Sequence, residues 1–552
     1  MRLKPRSQQV LIVSALVIMT MAIRGAAVTR LYDIHIDEIT YNHFALSINQ
    51  GNVIPRLFDN QPFFLHPPVY YYTLAAWRLL VWPNQSPSPT GIFDEYYALR
   101  FLNVILAGMT VVLLYKLTHL ATRSRLLSVM TALLFALDGL AIRQNTRSLM
   151  ETITMLWLLL GLWCWLRRPT ASQPWPWITC GLAFGLAIAS KDTSAVFIVL
   201  LGFITIWQGL APPRPAVKYL LAALPVPYAI WIGIVIASGQ WTTFMAEKSS
   251  GLHRFVGVIQ TTGYNSPDGP SKLQTLMQTI EHYGPAYAIL GLGVIGTIAL
   301  LASPFDRRRH WGAIGLASSL VLAYEFAFGT MEEQFLYYLL VPSFVIVGLA
   351  YQELAERLPL HRQQGARAVM SAIAVVLVWY SSVSYVLAMR TADHSWQRAI
   401  TSIAQYARPG STILVFGPGQ FLFQGLPYQV SNAKTADQIK NQRVDYVIIS
   451  KKLALDGYAP LSPALQASIY QHGLVLSSFA GRDSGQFDII KLTDRNAISG
   501  PSVQSPVTPA NQILRLFKYL AASAIAAGGA VILFVKLRRR RWRQRNQDGD
   551  TR

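Results

Sequence analysis

The sequence predicts an all-α polytopic membrane protein with a small α/β domain near the C-terminus. Of the 552 residues, 52% are hydrophobic and only 14% are charged. Apolar runs long enough to cross a bilayer recur along most of the chain. Residues 391–498 depart from this pattern, because short β-branched runs there alternate with helical ones.

Hydropathy predicts about twelve membrane spans. They are 10–29, 99–119, 126–142, 150–166, 177–190, 193–209, 217–237, 284–302, 311–328, 335–351, 368–389 and 512–536. With both termini in the cytoplasm, the Arg and Lys clusters of the short loops all fall on the inner side. Topology and anionic lipid therefore explain the net charge of +21, and nucleic-acid binding is not expected.

These patterns divide the chain into five parts. They are a transmembrane catalytic module (1–390) whose first outer loop (30–98) carries membrane-surface helices, an extracytoplasmic α/β domain (391–498), a Ser/Pro-rich linker (499–511), a last transmembrane helix (512–536) and a basic cytoplasmic tail (537–552). The α/β domain has strand candidates at 412–416, 444–449, 473–480 and 486–492, and helix candidates at 396–406, 433–441 and 464–470. It lacks a nucleophile elbow, a phosphate loop or a metal motif, which favours a structural or acceptor-recognition role.

The first outer loop carries the main candidate site. Asp37, Tyr41, Phe44, Ala45 and Ile48 recur at helical spacing, which predicts a short helix along the membrane surface with Asp37 at its N-terminal end. Asp37 is then either an N-cap that accepts backbone N–H bonds or a catalytic carboxylate held beside the bilayer.

Charged residues at the outer helix ends add further candidates. Arg147 and Glu151 are four residues apart, so on one helix they would share a face and pair, in a structural or a site role. Lys191 separates two short apolar segments and needs an anionic partner or water. On a continuing helix its neighbour Asp192 cannot face it. The Lys191 ammonium group is then expected either to bind a lipid phosphate or to reach the membrane interface by snorkelling.

An ordered set of short motifs resembles a known family. The set comprises Asp37-Glu38, His66-Pro67-Pro68 with the tyrosines after it, Arg147 to Glu151, the glycine-rich run from Gly181 to Ser190 with Lys191, and Phe335 to Pro342. It is similar to protein O-mannosyltransferases and aminoarabinose transferases, which are polyprenyl-phosphate-sugar-dependent glycosyltransferases of the GT-C fold. The likeness covers about residues 10–390.

The resemblance implies roles for individual residues. Asp37 corresponds to the catalytic base, with Glu38 beside it, and Arg147 and Glu151 belong to the active-site wall, which we extend to Tyr41 and His66. The family more often has Asp where this chain has Glu151. No large β-trefoil insertion of the eukaryotic kind is visible, so a protein acceptor does not follow. The implied location is the plasma (inner) membrane of a prokaryote.

The expected chemistry fits these residues. The donor is a polyprenyl-phosphate-linked sugar, whose tail stays in the bilayer, and the acceptor is a protein, lipid or glycan outside the cytoplasm. Asp37 would take the acceptor hydroxyl proton, while Lys191, Arg147 and Arg254 are candidate cations for the departing phosphate. Alternatively, Asp33, His35 and Asp37, with His43, could ligate a divalent metal ion, although their spacing matches no strong metal motif.

The sequence patterns also leave two other functions open. A transporter or flippase of lipid-linked saccharides would have inverted repeats and broken helices at the midplane, and no such repeat is visible in the sequence. A non-catalytic assembly subunit would tolerate the loss of Asp37. The sequence favours an inverting glycosyltransferase because the ionisable residues gather at the outer ends of the spans.

Overall fold

A computed structural model describes residues 5–83, 92–167, 173–255, 272–327, 333–459, 461–481 and 485–500. Its first part is helical. In chain order the helices are α1 (Pro5–Ala27), α2 (Ile36–Asn49), α3 (Val69–Val81), α4 (Ile92–Thr122), α5 (Arg125–Leu137), α6 (Gly139–Asn145), α7 (Met150–Leu166), α8 (Pro174–Ser190), α9 (Thr193–Trp207), α10 (Arg214–Ala223), α11 (Val226–Ala237), α12 (Trp241–Phe255), α13 (Lys272–Leu301), α14 (Asp306–Ala327), α15 (Glu333–Arg357) and α16 (Leu360–Arg390).

The predicted spans between residues 10 and 389 all coincide with helices. Within the described ranges, six helices are long and apolar enough to cross a membrane, or seven if one bent pair counts as a single span. Helices α7 and α9 are apolar but shorter. The predicted span 512–536, the tail 537–552 and most of the linker 499–511 lie outside the described residues. The count of twelve therefore stays a prediction.

The predicted span 126–142 is not one straight helix. Helix α5 ends at Leu137, α6 begins at Gly139, and the two axes differ by 65°. Asp138 between them has an extended backbone, and its Oδ1 accepts a hydrogen bond from the Ala141 N–H at 2.8 Å. The break follows from Asp-Gly, a turn-forming pair within an otherwise apolar run.

Small residues allow the membrane helices to approach closely. A Cβ added at Gly181 would collide with the Leu220 carbonyl oxygen, and one at Gly185 would collide with that of Leu224. Helices α10 and α11 therefore pack backbone to backbone on the glycine face of α8. Small residues serve this purpose where lipid provides no hydrophobic drive for helix association.

Residues 395–492 form a small α/β domain, as predicted. Its elements are α17 (Ser395–Tyr406), β1 (Thr412–Val415), a 3₁₀ helix (Pro418–Phe423), β2 (Gln429–Ser431), α18 (Ala436–Asn441), β3 (Tyr446–Ser450), α19 (Lys451–Leu455), α20 (Pro463–Gln471), β4 (Gly473–Gly481) and β5 (Gly485–Leu492). The sheet order is β2-β1-β3-β5-β4. Strand β1 is parallel to β2 and β3, whereas β5 is antiparallel to β3 and β4. The sequence missed β2, whose three residues give too short a pattern.

The α/β domain packs on the first outer loop. The Asp33 carboxylate accepts a hydrogen bond from the Trp396 N–H at 3.1 Å, in the first turn of α17. The Asp393 N–H donates to the Arg30 carbonyl at 3.0 Å. Around these contacts, Ile34 and Ile39 share a buried apolar cluster with the domain. Burial of apolar surface together with satisfied polar groups therefore fixes the domain beside α2.

Candidate active site

Helix α2 presents the Asp37 side chain at its N-terminal end. His35, not Asp37, is the N-cap residue, because its Nδ1 accepts a hydrogen bond from the Asp37 N–H at 3.3 Å. The interpretation of Asp37 as a simple N-cap is therefore wrong. The Asp37 carboxylate is 28% exposed and lies 3.8 Å from His35 Nδ1. It lies in the first turn of α2, at the end of the helix toward which the backbone N–H groups point.

Glu38 is buried and serves as an anchor. Oε1 accepts from Arg100 Nε at 2.8 Å and from the Ser148 N–H at 2.7 Å. Oε2 accepts from Arg100 Nη2 at 2.7 Å and from the His35 N–H at 2.9 Å. Each oxygen thus receives two hydrogen bonds, and the carboxylate joins α2, α4 and the loop before α7. These contacts favour an anchoring role over direct catalysis.

Aromatic side chains form a wall on one side of α2. The Tyr41 ring lies 5.9 Å from that of Tyr70 and 5.3 Å from that of Tyr71. Burial raises the pKa of the Tyr71 hydroxyl well above its usual range. The carboxylates of Asp37, Glu151 and Asp192 raise this pKa further. The fold therefore places these three acids around one tyrosine.

His66 lies at the end of the segment that leads into α3. It is partly buried, and its ring is 6.2 Å from the ring of Phe63. Phe63 in turn packs 6.2 Å from Tyr71. The structure thus places His66 near Phe63, which contacts Tyr71, and the role of His66 in the active-site wall stays a prediction.

Lys191 forms an ion pair with Glu151. The two side chains are only 4% and 1% exposed. The ammonium group also lies 4.4 Å from the centroid of the Phe335 ring. The expectation that Lys191 has no carboxylate partner in the protein is wrong, because α7 supplies Glu151. The snorkelling alternative is also wrong, because the Lys191 side chain is buried and does not reach the interface. Whether Lys191 also contacts donor phosphate stays a prediction.

Arg147 does not share a helical face with Glu151, because α7 begins only at Met150. The predicted i,i+4 geometry is therefore wrong. The Arg147 guanidinium lies 5.2 Å from the centroid of the Tyr32 ring and is buried. Asn103 Nδ2 donates to the Leu149 carbonyl at 2.7 Å and also bonds to the Arg147 carbonyl, which fixes the loop.

A second ion pair lies beside the first outer loop. Lys248 on α12 donates to Asp192 Oδ2 at 2.7 Å and to the Leu65 carbonyl at 3.1 Å. Its neighbour Glu247 accepts from the Phe64 N–H at 2.6 Å. These contacts bind α12 to the segment just before His66. The sequence analysis did not select Lys248, because its partner lies 56 residues away.

The metal alternative finds little support in the donor set. One Asp33 oxygen accepts from the Ile34 N–H at 2.9 Å and the other from the Trp396 N–H. Among the residues that the structure describes, no three His, Cys, Asp or Glu side chains are grouped as metal ligands would be. The side chain of Arg254, a predicted phosphate contact, lies outside the described part of the chain.

Comparisons with known proteins find related sequences over part of the chain. Residues 14–220 match the family model described as dolichyl-phosphate-mannose-protein mannosyltransferase. An undecaprenyl phosphate-alpha-4-amino-4-deoxy-L-arabinose arabinosyl transferase from Yersinia enterocolitica is 26% identical over 213 residues, which are 38% of this chain and 36% of the relative. A second such transferase, from Proteus mirabilis, is 27% identical over 176 residues, 31% of this chain and 30% of the relative. The chain thus matches about a third of the length of these relatives.

Solved structures extend the likeness to most of the chain. ArnT from Cupriavidus metallidurans, bound to undecaprenyl phosphate, has a TM-score of 0.50 and 13% identity, covering 90% of this chain and 100% of that one. The archaeal oligosaccharyltransferase AglB from Archaeoglobus fulgidus, in complex with an inhibitory peptide and a dolichol-phosphate, has a TM-score of 0.53 and 12% identity, covering 86% of this chain and 74% of that one.

These comparisons define a class of protein. The chain is a multi-pass membrane protein with the GT-C fold, and its first 220 residues carry the mannosyltransferase family match. The resemblance to polyprenyl-phosphate-sugar-dependent GT-C glycosyltransferases that the sequence indicated is thereby confirmed.

Proposed function

We propose that the protein is an inverting glycosyltransferase that moves a monosaccharide from a polyprenyl-phosphate carrier to a hydroxyl acceptor outside the cytoplasm. The observation that carries this is the partly exposed Asp37 carboxylate, held by a helix N-terminus beside buried aromatic and acidic side chains. The family match and the fold of proteins bound to undecaprenyl phosphate or dolichol-phosphate support the donor class.

The reaction is a single displacement. Asp37 takes the proton of the acceptor hydroxyl while the acceptor oxygen forms a bond to the anomeric carbon. The bond between that carbon and the phosphate oxygen breaks, and polyprenyl phosphate leaves with the electron pair. Because the nucleophile attacks opposite the leaving group, the configuration at the anomeric carbon inverts.

Positioning is the proposed task of Glu38. Its four hydrogen bonds fix the start of α2, so the neighbouring carboxylate of Asp37 has a defined direction. Rigid support of this kind is valuable because a base must lie within hydrogen-bond reach of the proton that it removes.

The departing phosphate needs positive charge. Lys191 pairs with Glu151 of α7, and Arg147 lies just before α7 over the Tyr32 ring. Arg254 belongs to α12, the helix that also carries Lys248. We propose that the phosphate is bound between these two groups of cations. In the structure Lys191 pairs with Glu151, and Lys248 pairs with Asp192. The donor phosphate would therefore interact with lysines that also bind these two carboxylates.

The configuration of the product tests the proposal. The purified full chain is incubated in lipid nanodiscs with polyprenyl-phosphate sugars of defined anomeric configuration and with candidate acceptors. Mass spectrometry identifies the glycosylated acceptor, and NMR reads the anomeric coupling. The proposal expects one donor whose sugar appears on an acceptor with the opposite configuration. Retention of configuration would contradict a single displacement with Asp37 as base.

A further inference from the structure

A cavity lies between the α/β domain and the first outer loop. Its volume is about 470 Å³, and it is open to solvent on one side. The domain lines it with the carboxyl end of β1, the start of the 3₁₀ helix and the residues that follow β2. The outer loop contributes Thr40 of α2 and the segment 57–59.

The sheet topology explains why a cavity forms here. Strand β1 lies between β2 and β3, and both run parallel to it. The connection from β1 leads to β2 on one side of it, and the connection from β2 crosses back to β3 on the other side. The two connections therefore run in opposite directions from the carboxyl ends of the neighbouring strands β1 and β2. Ligands bind in such crevices in open α/β sheets. Gly417, at φ 84°, turns the chain away after β1.

The lining combines apolar and polar groups. Leu57, Phe58 and Phe421 supply apolar surface. The polar groups are a hydroxyl, two amides, a carboxylate and an ammonium group, from Thr40, Gln420, Asn432, Asp59 and Lys434. Asp59 Oδ1 accepts from the Gln61 N–H at 3.2 Å, and Asn432 Oδ1 accepts from Gln442 Nε2 at 3.0 Å. An apolar ligand would cover the remaining donors and acceptors of these side chains and exclude water from them, which costs free energy. A strongly charged ligand would be repelled either by Asp59 or by Lys434.

A neutral polyhydroxyl ligand suits this lining best. Its hydroxyls can donate to Asp59 and accept from Asn432 or Lys434, while its C–H surfaces contact the apolar side chains. A peptide that adds to a sheet needs an open strand edge, whereas the cavity lies at the ends of β1 and β2. The volume lies in the range of small-molecule sites and has room for one or two sugar rings.

Helix geometry places Asp37 between this cavity and the tyrosine wall. Successive residues on an α-helix are turned by about 100°, so Thr40 and Tyr41 lie about 60° and 40° from Asp37 on opposite sides. Thr40 faces the cavity, and Tyr41 faces Tyr70 and Tyr71. Thr40 is also only about 5 Å from Asp37 along the helix axis.

We infer that this cavity binds a neutral saccharide. This inference rests on the proposed function, in which the saccharide is part of the acceptor. The acceptor hydroxyl reaches Asp37 from the side of the α/β domain, while the donor approaches from the membrane side. The α/β domain would thus select the acceptor.

A binding experiment without donor tests this inference separately from the transfer reaction. The full chain in nanodiscs carries a fluorescent label and is applied to an array of neutral, acidic and amino glycans and of Ser/Thr peptides. We expect the wild type to retain a subset of neutral glycans. Gln420→Trp fills the cavity and should abolish retention. Asn432→Ala removes one hydrogen-bonding group and should weaken binding about three- to tenfold.

Matched controls lie elsewhere in the α/β domain. Gln424→Trp and Asn441→Ala change exposed residues that do not line the cavity, and both should bind as the wild type does. The inference is overturned if the wild type retains no neutral glycan, if Gln420→Trp binds as well as Gln424→Trp, or if only peptides bind in a cavity-dependent way. The binding assay contains no donor, so its outcome is independent of whether the protein transfers a sugar. A failure of this inference can therefore be distinguished from a failure of the proposed function.

Discussion

At the scale of single residues, two buried carboxylates determine how the candidate site is held. Glu38 pairs with Arg100 and Glu151 pairs with Lys191, across 62 and 40 residues of chain. Sequence analysis identified Glu38, Glu151 and Lys191 as important but could not pair them, because helical spacing relates only residues three or four apart. Long-range pairing depends on how the helices pack.

The Lys191 and Glu151 pair can be tested by a double-mutant cycle. Lys191→Met alone leaves a buried carboxylate without its cation, and Glu151→Gln alone leaves a buried ammonium group without its anion. Each single change should lower the free energy of unfolding by about 3–5 kcal/mol, and the double variant should lose much less. Thermal unfolding in detergent provides the measurement.

The exposed ion pair of Arg309 and Asp306 on α14 serves as a control. Arg309→Met and Asp306→Asn should each change stability by less than about 1 kcal/mol. If the Lys191 and Glu151 variants behaved like this exposed pair, or if their effects were simply additive, the buried pairing would be contradicted.

At the scale of elements, the break between α5 and α6 determines the path of the chain toward Arg147. Ending α5 at Leu137 leaves carbonyl groups without helical partners. Arg24 of α1 supplies hydrogen-bond donors for two of these carbonyl groups. Its Nη1 donates to the Ala136 carbonyl at 2.9 Å, and its Nη2 donates to the Phe135 carbonyl at 3.1 Å. Its Nε donates to Asn145 Oδ1 at 3.1 Å, at the end of α6. One guanidinium thus supports both sides of the bend.

Hydropathy could not reveal this bend, because the apolar pattern continues through it. Asp138-Gly139 was the available signal, and Arg24 was the second, since a charge inside an apolar helix needs a partner. By contrast, local periodicity predicted α17, α18, α20 and four of the five strands of the α/β domain, but not α19 or the 3₁₀ helix.

We predict that Arg24→Met destabilises the protein by at least about 3 kcal/mol, because it removes three hydrogen bonds from a charged donor. Arg24→Lys should not restore stability, since an ammonium group lacks the planar fork. Thermal unfolding measures both. Arg30→Met, which changes an exposed arginine near the end of α1, is the control. Equal melting temperatures for Arg24→Met and Arg30→Met would contradict the proposed support of the bend.

At the scale of the whole molecule, the clusters of Arg and Lys in the short loops predict the orientation of the chain in the membrane, and this orientation stays a prediction. Arg308, in the first turn of α14, pairs with Glu353 at 2.6 Å and with Glu356 at 2.7 Å. This network shows that part of the positive charge also joins α14 to α15. The packing of the α/β domain on the first outer loop, by contrast, could not be predicted from local sequence patterns, because the contacting residues Asp33 and Trp396 are 363 residues apart.

Cysteine labelling tests the orientation. In a background with Cys164 and Cys180 replaced by alanine, a cysteine at the exposed Asn432 should react with an impermeant thiol reagent in intact cells. A cysteine at the exposed Asp306 should react only after permeabilisation. Labelling of both positions from the same side would contradict the predicted topology.

The most direct test of the proposed function is the transfer rate of Asp37→Asn. The change preserves shape but removes the proton acceptor, so turnover should fall about 10²–10⁴-fold, the usual contribution of general-base catalysis. Purified wild type, Asp37→Asn and Asp94→Asn are compared in nanodiscs with one donor and one acceptor. Asp94 is an exposed aspartate in the first turn of α4 and serves as the matched control. Donor binding is measured in parallel.

We expect Asp37→Asn to bind donor as the wild type does, yet to transfer the sugar at least about 100-fold more slowly, while Asp94→Asn transfers normally. Turnover by Asp37→Asn at the rate of the wild type would contradict the assignment of Asp37 as the base.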